Sequence, residues 1–301
     1  MKILVTGATG LIGSELVELL LKKNHSVNYL TTSEKKIIQK ENYKGFLWNP
    51  SKKQIDKNCI KEVDVIVHLA GASISKRWTT SYKKELLDSR VESSNLLFDL
   101  LKNNSHQVQH IVSASGTAIY PDSFSKIYTE DSQETDFGFL GYVVVQWEKS
   151  VTQFETIGLQ VSKLRTGIVL SSKGGALVEM VRPIRFFVGS GFGSGQQVQS
   201  WIHLSDVARL YLYVIENQIS GTVNAVAPET ISNQNFTKLI AKTINRPLFL
   251  PNIPQFVMQL ILGEMSSLLF TNKNIIPQKA LAAGFQFEFD TTEKALENLL
   301  T

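Results

Sequence analysis

Cysteine is almost missing from this chain. Cys59 is the only one in 301 residues, so no disulfide can form within the molecule and a reducing, cytoplasmic setting is the expectation. Long apolar runs are missing too. The greasiest stretch, Phe256 to Phe270, is broken by Gln259 and Glu264 and falls short of the roughly 18 apolar residues of a membrane span. At the start, Met1-Lys2 leads into only Ile3-Leu4-Val5, too short for the core of a signal peptide. No membrane partner is expected. An excess of one charge is likewise lacking: 31 Lys+Arg stand against 27 Asp+Glu, a net +4. The basic residues are scattered as pairs such as Lys22-Lys23, Lys35-Lys36, Lys52-Lys53 and Lys83-Lys84. A nucleic-acid surface wants a concentrated basic face with interleaved aromatics, so no nucleic acid is expected. His106 and His110 are four apart but lead into a strand, with no third ligand nearby in sequence; no metal site is expected. No nucleophile elbow or Ser/His/Asp order appears either.

What is present is enough apolar material for a large core, 43% against 19% charged, in a length that fits about two domains. Short runs of Val, Ile and Leu, apolar on both faces, predict strands over Lys2 to Thr6, Val27 to Thr31, Val63 to Leu69, Ile111 to Ser113 and Val161 to Leu164. Helical patterns lie between them at Gly10 to Lys23, Thr80 to Lys102 and Leu140 to Thr156. This alternation predicts an α/β fold, a doubly wound parallel sheet. Residues 167–199 carry little strand signal and a glycine-rich stretch, Gly189 to Gly195; the pattern then resumes with a helix at Val207 to Glu216 and a strand at Thr222 to Ala225. The stripe Phe256, Val257, Leu260, Ile261, Met265, Leu268 and Leu269 is read as core, with a cleft wall or a dimer contact as the alternatives.

The strongest chemical signal is Gly7-Ala8-Thr9-Gly10-Leu11-Ile12-Gly13, after a predicted strand and opening a predicted helix. One glycine permits the tight turn, the next lets the backbone approach a pyrophosphate, and Gly13 permits close helix–strand packing. The helix N-terminus then offers unpaired N–H groups to phosphate. The spacing is GxxGxxG, not GxGxxG. At the end of the second predicted strand, in Thr31-Thr32-Ser33-Glu34-Lys35-Lys36, no acid occupies the Thr31–Thr32 slot, where one would repel a 2′-phosphate; the hydroxyls and the lysines could bind it. That favours NADP over NAD, the alternative being that both lysines are simply solvated.

This spacing, with Val67-His68-Leu69-Ala70-Gly71, resembles the extended short-chain dehydrogenase/reductases. Arg77-Trp78-Thr79, Ser89-Arg90, Ser113-Ala114-Ser115, Trp147-Glu148, Gly174-Gly175-Ala176-Leu177, Ser200-Trp201-Ile202-His203 and Arg246-Pro247 resemble an atypical subgroup, the SulA-like NAD-dependent epimerase/dehydratases, over nearly the whole chain. The resemblance implies a Rossmann domain, residues 1–166 with 200–226, and a smaller substrate domain built partly from insertions, 167–199 with 227–301. It implies cofactor contacts by Gly7, Gly10, Leu11, Ile12 and Gly13, with Thr31 and Thr32 near the adenosine phosphate and Leu69, Ala70 and Gly71 along the adenosine side. Glu85, Arg90 and Val169 match positions that approach the cofactor. For Arg90 a guanidinium also suits phosphate geometry; a salt bridge with Glu92 or Asp88 is the other reading.

Relatives in the wider superfamily use a Tyr and a Lys four residues later, the ammonium lowering the phenol's pKa. Aligned on Glu148, those positions fall on Leu140 and Val144; the shifted pair Tyr142 and Gln146 carries no cation. Tyr142 is therefore read as a packing or pocket residue. Ser115 is the candidate catalytic hydroxyl, holding a substrate oxygen, with a turn-capping role as its alternative; Tyr120 and Tyr128 follow in a loop. Two functions stay open. One is an NADP(H)-dependent oxidoreductase or epimerase on a small carbonyl or nucleotide-sugar-like substrate. The other is a non-catalytic NADP(H)-binding sensor or interaction protein. The helices Thr80–Lys102 and Leu140–Thr156 would suit a homodimer.

Overall fold

The computed structural model describes residues 1–301. Apart from short turns and bridges, the chain runs β1 (Lys2–Thr6), α1 (Leu11–Lys22), β2 (Ser26–Thr31), β3 (Tyr43–Asn49), β4 (Val65–His68), α2 (Thr80–Lys102), β5 (His110–Gly116), α3 (Phe139–Thr152) and β6 (Gln160–Thr166). It continues with β7 (Ile168–Leu170), α4 (Ala176–Arg185), β8 (Val198–His203), α5 (Leu204–Glu216), β9 (Gly221–Ala225), β10 (Thr230–Ser232), α6 (Asn233–Thr243), α7 (Gln255–Leu262) and α8 (Thr292–Leu300). Seven parallel strands pair in the order β9-β6-β5-β4-β1-β2-β3. The α/β doubly wound sheet expected from the alternation is the fold.

Alternation along each strand divides the core between the two faces. Ile3 and Val5 point to one side, where Leu16 and Leu20 of α1 and Val207 and Tyr211 of α5 cover them. Leu4 and Ile66 point to the other, under Leu97 and Leu101 of α2 and Trp147 and Val151 of α3. A smaller three-stranded sheet, β7-β8-β10, packs with α4, α6 and α8 around Trp201, Phe236 and Leu296. No helix is long and apolar enough to cross a membrane.

The chain winds outward from β1 to β2 and β3, then returns to β4 on the other side of β1. Ligands of open α/β sheets bind beyond the carboxyl ends of the strands at such a reversal. Register brings the relevant ends level: Thr6 pairs with His68, and His68 with Ser113.

The structure departs from the sequence reading in two places. Strand β3 was not foreseen: it is mostly polar or half-exposed, burying only Gly45 and Trp48, because a strand near the sheet edge needs no continuous apolar run. The stripe from Phe256 is not core. No residue of α7 is buried, and Phe256 and Leu260 are 63% and 79% exposed; only Met265 and Leu268, beyond the helix, pack against a buried cluster. Gly189–Gly195 is held in place: Gly193 N–H donates to the Ile253 carbonyl (2.9 Å) and Ile253 N–H to the Gly191 carbonyl (2.8 Å).

Candidate active site

Strand β1 ends on Thr6, and Gly7 turns the chain toward α1 with φ +69°, a conformation glycine adopts without steric cost. A Cβ on Gly7 would lie 2.9 Å from the Leu69 carbonyl carbon, and one on Gly13 would lie 2.1 Å from the Gly7 oxygen. Both glycines are therefore fixed by packing. Gly10 caps α1 in an extended conformation with no side-chain cap, leaving N–H groups of the first turn, including those of Leu11 and Ile12, without an intrahelical partner.

The next strand is fastened to this loop by a buried relay. Thr6 Oγ1 accepts from the N–H groups of Leu69 (3.1 Å) and Ala70 (3.0 Å). Its own proton is then left for His68 Nδ1, 2.8 Å away. Ser93 Oγ donates to the Ser89 carbonyl (2.6 Å), so His68 Nε2–H donates to Ser93, at 3.2 Å. This network assigns a neutral imidazole protonated on Nε2. Burial, and then the charge of Arg90, push the His68 pKa down to about 4.

Arg90 lies one turn from that histidine contact. Its guanidinium donates to the carbonyls of Leu86 (2.9 Å) and Ala72 (3.2 Å) and stacks over Trp147 at 5.0 Å. It pairs with no carboxylate; Asp88 is taken by Lys84. Burial lowers its pKa to about 10. Gly71 is the immediate neighbour, its Cβ position 3.3 Å from Arg90 Cζ. The crevice thus holds a cation with unused N–H donors. At the end of β2, Thr31 is buried and receives the Ser33 N–H (3.2 Å), while Thr32, Lys35 and Lys36 are exposed. Val169 lies half-buried on β7, its carbonyl 3.7 Å from the Cβ position of Gly175, which itself sits 3.3 Å from Leu11. Glu85 is on the exposed side of α2.

Ser115, expected to hold a substrate oxygen, has its hydroxyl proton engaged elsewhere. It donates to Glu148 Oε1 at 2.6 Å and is 4% exposed. Glu148 also receives Arg165 Nε (2.8 Å) and Nη2 (2.9 Å), a bidentate pair. Arg165 Nη1 donates to the Tyr120 hydroxyl (3.0 Å), which donates in turn to Asn224 Oδ1 (2.7 Å). Burial alone would raise the Glu148 carboxyl, but the bonds and charge of Arg165, with Ser115, hold it below the usual carboxylate range. Ser115 therefore positions Glu148. Tyr120 and Tyr128 are buried and stacked, at 5.1 Å, and the Tyr120 hydroxyl is engaged by Arg165 and Asn224. Sequence reading missed Arg165 altogether, because its partner lies on a different element. The cue was the Trp147-Glu148 pair, a carboxylate on the otherwise apolar face of α3.

Where a Tyr–Lys pair would stand, the wall is carbon. The Cβ position of Gly116 is 3.3 Å from Val144 Cγ2, and Leu140 joins a cluster of Trp78, Tyr82, Phe139, Met265 and Leu268. Tyr142 is 52% exposed on α3, so of its two readings, packing or pocket residue, the packing one does not hold. His203 is tied into the fold: its Nδ1 accepts the Ser205 N–H (3.1 Å) and caps α5, with the ring stacked on Phe289 at 3.8 Å. His110 is tied to Ser162 Oγ at 2.7 Å.

Comparison with known proteins fits this geometry. The profile of the NAD dependent epimerase/dehydratase family matches residues 3–140, and a domain of unknown function, DUF1731, matches residues 253–299. An epimerase family protein of Staphylococcus haemolyticus (strain JCSC1435) is 38% identical over 298 residues, 99% of this chain and 98% of that one. One from Staphylococcus aureus (strain MRSA252) is 36% identical over 300 residues, with the same coverage. Among solved structures, human epimerase family protein SDR39U1 with NADPH superposes with a TM-score of 0.86 at 29% identity, covering 99% of both chains.

Proposed function

Since this chain belongs to the NAD dependent epimerase/dehydratase family, we propose that it binds NADP(H), in preference to NAD, in the crevice between β1 and β4. There it would act as an oxidoreductase or epimerase on a small carbonyl or nucleotide-sugar-like compound. The observation that carries this reading is Arg90, a half-buried guanidinium without a carboxylate, beside Gly71 and across from an uncapped, glycine-lined helix start. These residues fit a pyrophosphate: the N–H groups opening α1 and the Arg90 fork supply donors, and Gly7, Gly10 and Gly13 let the backbone approach. Thr32 and Lys35 are exposed where they can meet a 2′-phosphate, and no acid occupies the Thr31–Thr32 positions. The human relative of known structure holds NADPH, which supports the same choice.

Bound at this place, the cofactor would supply a hydride. The chain's own part is to hold the pyrophosphate, to line the adenosine side with Leu69, Ala70 and Gly71, and to keep Val169 and Leu11 against the other wall. Ser115 contributes through Glu148, as a positioning residue. Glu85, exposed on α2, would reach the cofactor only from its rim.

Titration with NADPH and NADH, followed by nicotinamide fluorescence, tests the reading. NADPH is expected to bind at least tenfold tighter, about 1.4 kcal/mol. Arg90→Met should weaken NADPH at least tenfold, whereas Gly13→Ala should abolish binding, since the Gly7 carbonyl would have to move. Equal binding of both cofactors would remove the NADP preference, and no binding of either would sink the reading. The absence of an acid at Leu140 and Val144 favours one second reading, a cofactor-binding sensor; tight NADPH binding with no acceptor reduced would select it.

A further inference from the structure

Hydride transfer to a carbonyl carbon leaves charge on its oxygen, and a positioned acid that neutralises it is worth about 10²–10⁴ in rate. In a doubly wound sheet the second half, here β4-β5-β6, carries the far end of a dinucleotide, so the place for that acid is the carboxyl end of β5. The hydroxyls there are already engaged. Ser113 Oγ donates to the Ala114 carbonyl (2.9 Å), Ser115 Oγ to Glu148 Oε1 and Thr117 Oγ1 to the Thr166 carbonyl (3.3 Å). Gly116 has no side chain. Apart from its chain neighbours, only Val144 Cγ2 (3.3 Å) and Ala118 N (3.9 Å) lie within 4 Å of a Cβ placed on it. The strand end is closed on those two sides and open beyond them.

The second lobe brings a cation to this opening. Lys273 Nζ donates to the carbonyl of Ala118 (3.1 Å), the residue whose nitrogen borders Gly116. Lys273 is half-buried and joins no ion pair. The acids that face it are Asp122, in the loop after β5, and Asp136, ahead of α3. Asp122 accepts instead from the Asn272 N–H (2.7 Å) and Asp136 from the Gly138 N–H (2.7 Å). An ammonium carries three donors; the Ala118 carbonyl takes one and leaves two. Main-chain bonds already join the lobes at this point. The Lys273 N–H donates to the Val198 carbonyl (3.1 Å), the Lys273 carbonyl accepts from Ser200 Oγ (2.8 Å), and Asn274–Ile275 pairs with Ile127–Tyr128. Burial lowers the Lys273 pKa, with Asp136 and Asp122 opposing, which moves the amine toward the range where a general acid works best.

Two further cations, Lys76 and Arg77, stand exposed and without an ion pair on the loop after β4. A guanidinium keeps its proton in proteins, which leaves Lys76 as the rival donor. Its ammonium lies over the Tyr82 ring, 5.4 Å from the centroid, and the Tyr82 hydroxyl donates to the Ser73 carbonyl (2.5 Å). Neither group borders the opening at Gly116.

We propose that Lys273 is the proton donor of this site, its ammonium presented to the substrate oxygen in the opening beside Gly116. The proposal rests on the NADP(H) reading above and supplies the acid that α3 lacks at Leu140 and Val144. The carbonyl carbon gains a hydride from NADPH, the C=O π pair moves to the oxygen, and one Lys273 N–H bond breaks as the O–H bond forms. The products are the alcohol, NADP⁺ and a neutral amine, which recovers its proton from solvent.

One readout needs no turnover. Trace acetylation with acetic anhydride from pH 6 to pH 11, each lysine quantified by peptide mass, should give Lys273 a midpoint below the ordinary lysine value of 10.5. Saturating NADP⁺ should slow that labelling at least fivefold and leave Lys294, exposed on α8, unchanged. The other readout offers NADPH-saturated protein the carbonyl probe 4-nitrobenzaldehyde. Its kcat should fall as pH rises and Lys273 loses its proton. Lys273→Met should cut kcat at least a hundredfold and remove that fall, with NADPH affinity within twofold of the parent. Lys273→Arg keeps the charge but has no proton to transfer, and should stay at least tenfold impaired; Lys76→Met should change none of these. A Lys273 that does not label, or labels without regard to NADP⁺, would overturn the assignment. So would an unreduced aldehyde, a loss under tenfold in Lys273→Met, full activity in Lys273→Arg, or an alkaline fall removed by Lys76→Met. Each leaves the cofactor reading standing, whereas failure to bind NADPH would overturn both.

Discussion

Replacing Arg165 with methionine is expected to destabilise the protein by about 3–5 kcal/mol, the usual cost of leaving one member of a buried ion pair unpartnered. Both side chains are nearly buried, each 10% exposed, and the pair is bidentate. Without the guanidinium, the Glu148 carboxylate keeps only the Ser115 hydroxyl as partner. Its pKa should then rise, because burial is the largest cause and only the Ser115 hydrogen bond and the charge of Lys163 are left to oppose it. The loss should be largest near neutral pH and shrink as pH falls and Glu148 takes up a proton. Urea denaturation of the variant at pH 7 and pH 5 measures both effects. A double variant, Arg165→Met with Glu148→Leu, should recover most of the stability. A loss below about 1 kcal/mol would mean that the pair behaves as a solvated surface bridge.

The second large effect is a loss of stability in mild acid. His68 and His110 are buried, and burial brings each pKa down to about 4. In the unfolded chain both titrate near the ordinary value of about 6.5. Between these values the unfolded state binds more protons than the native state, so stability falls as pH falls. It is fully present above about 6.5 and largely gone near 4. Each histidine contributes up to about 3 kcal/mol of this change. His68 has the sharper stake, since its Nδ1 must accept from Thr6 while Thr6 receives Leu69 and Ala70. Protonation there would also loosen the loop that faces the crevice. Unfolding free energy measured from pH 7.5 to pH 4.5 should drop steeply, and His110→Gln should flatten the curve. A flat profile in the parent protein would show that neither histidine is held neutral by the fold.

Much of the architecture could be read from residues alone, because parallel strands buried on both faces and helices with one apolar side leave periodic traces. The strands from Lys2, Val27 and Val63 and the helix Thr80–Lys102 fall where the pattern puts them. The glycine loop was equally legible: Gly7 and Gly13 are local necessities, one set by a positive φ and the other by a contact six residues away. The apolar replacements at Leu140 and Val144 could also be seen without coordinates.

Three things were decided only by tertiary structure, each because the physical cause lies between elements distant in sequence. The hydroxyl of Ser115 looked available on its strand; Glu148, 33 residues on in α3, accepts its proton, and Arg165, 50 residues on in β6, holds that carboxylate. Arg90 could have been neutralised by Asp88 or Glu92, but helix geometry gives Asp88 to Lys84 and leaves the guanidinium beside Gly71. The stripe at Phe256 has the period of a buried helix, yet α7 packs only past its end, at Met265 and Leu268, because periodicity records which residues share a face and not whether another element covers it. Sequence alone determined the buried strands of the sheet and the glycine-lined start of the first helix. Packing across the sheet decided which hydroxyl is engaged, which cation is free and which face of the second lobe meets solvent.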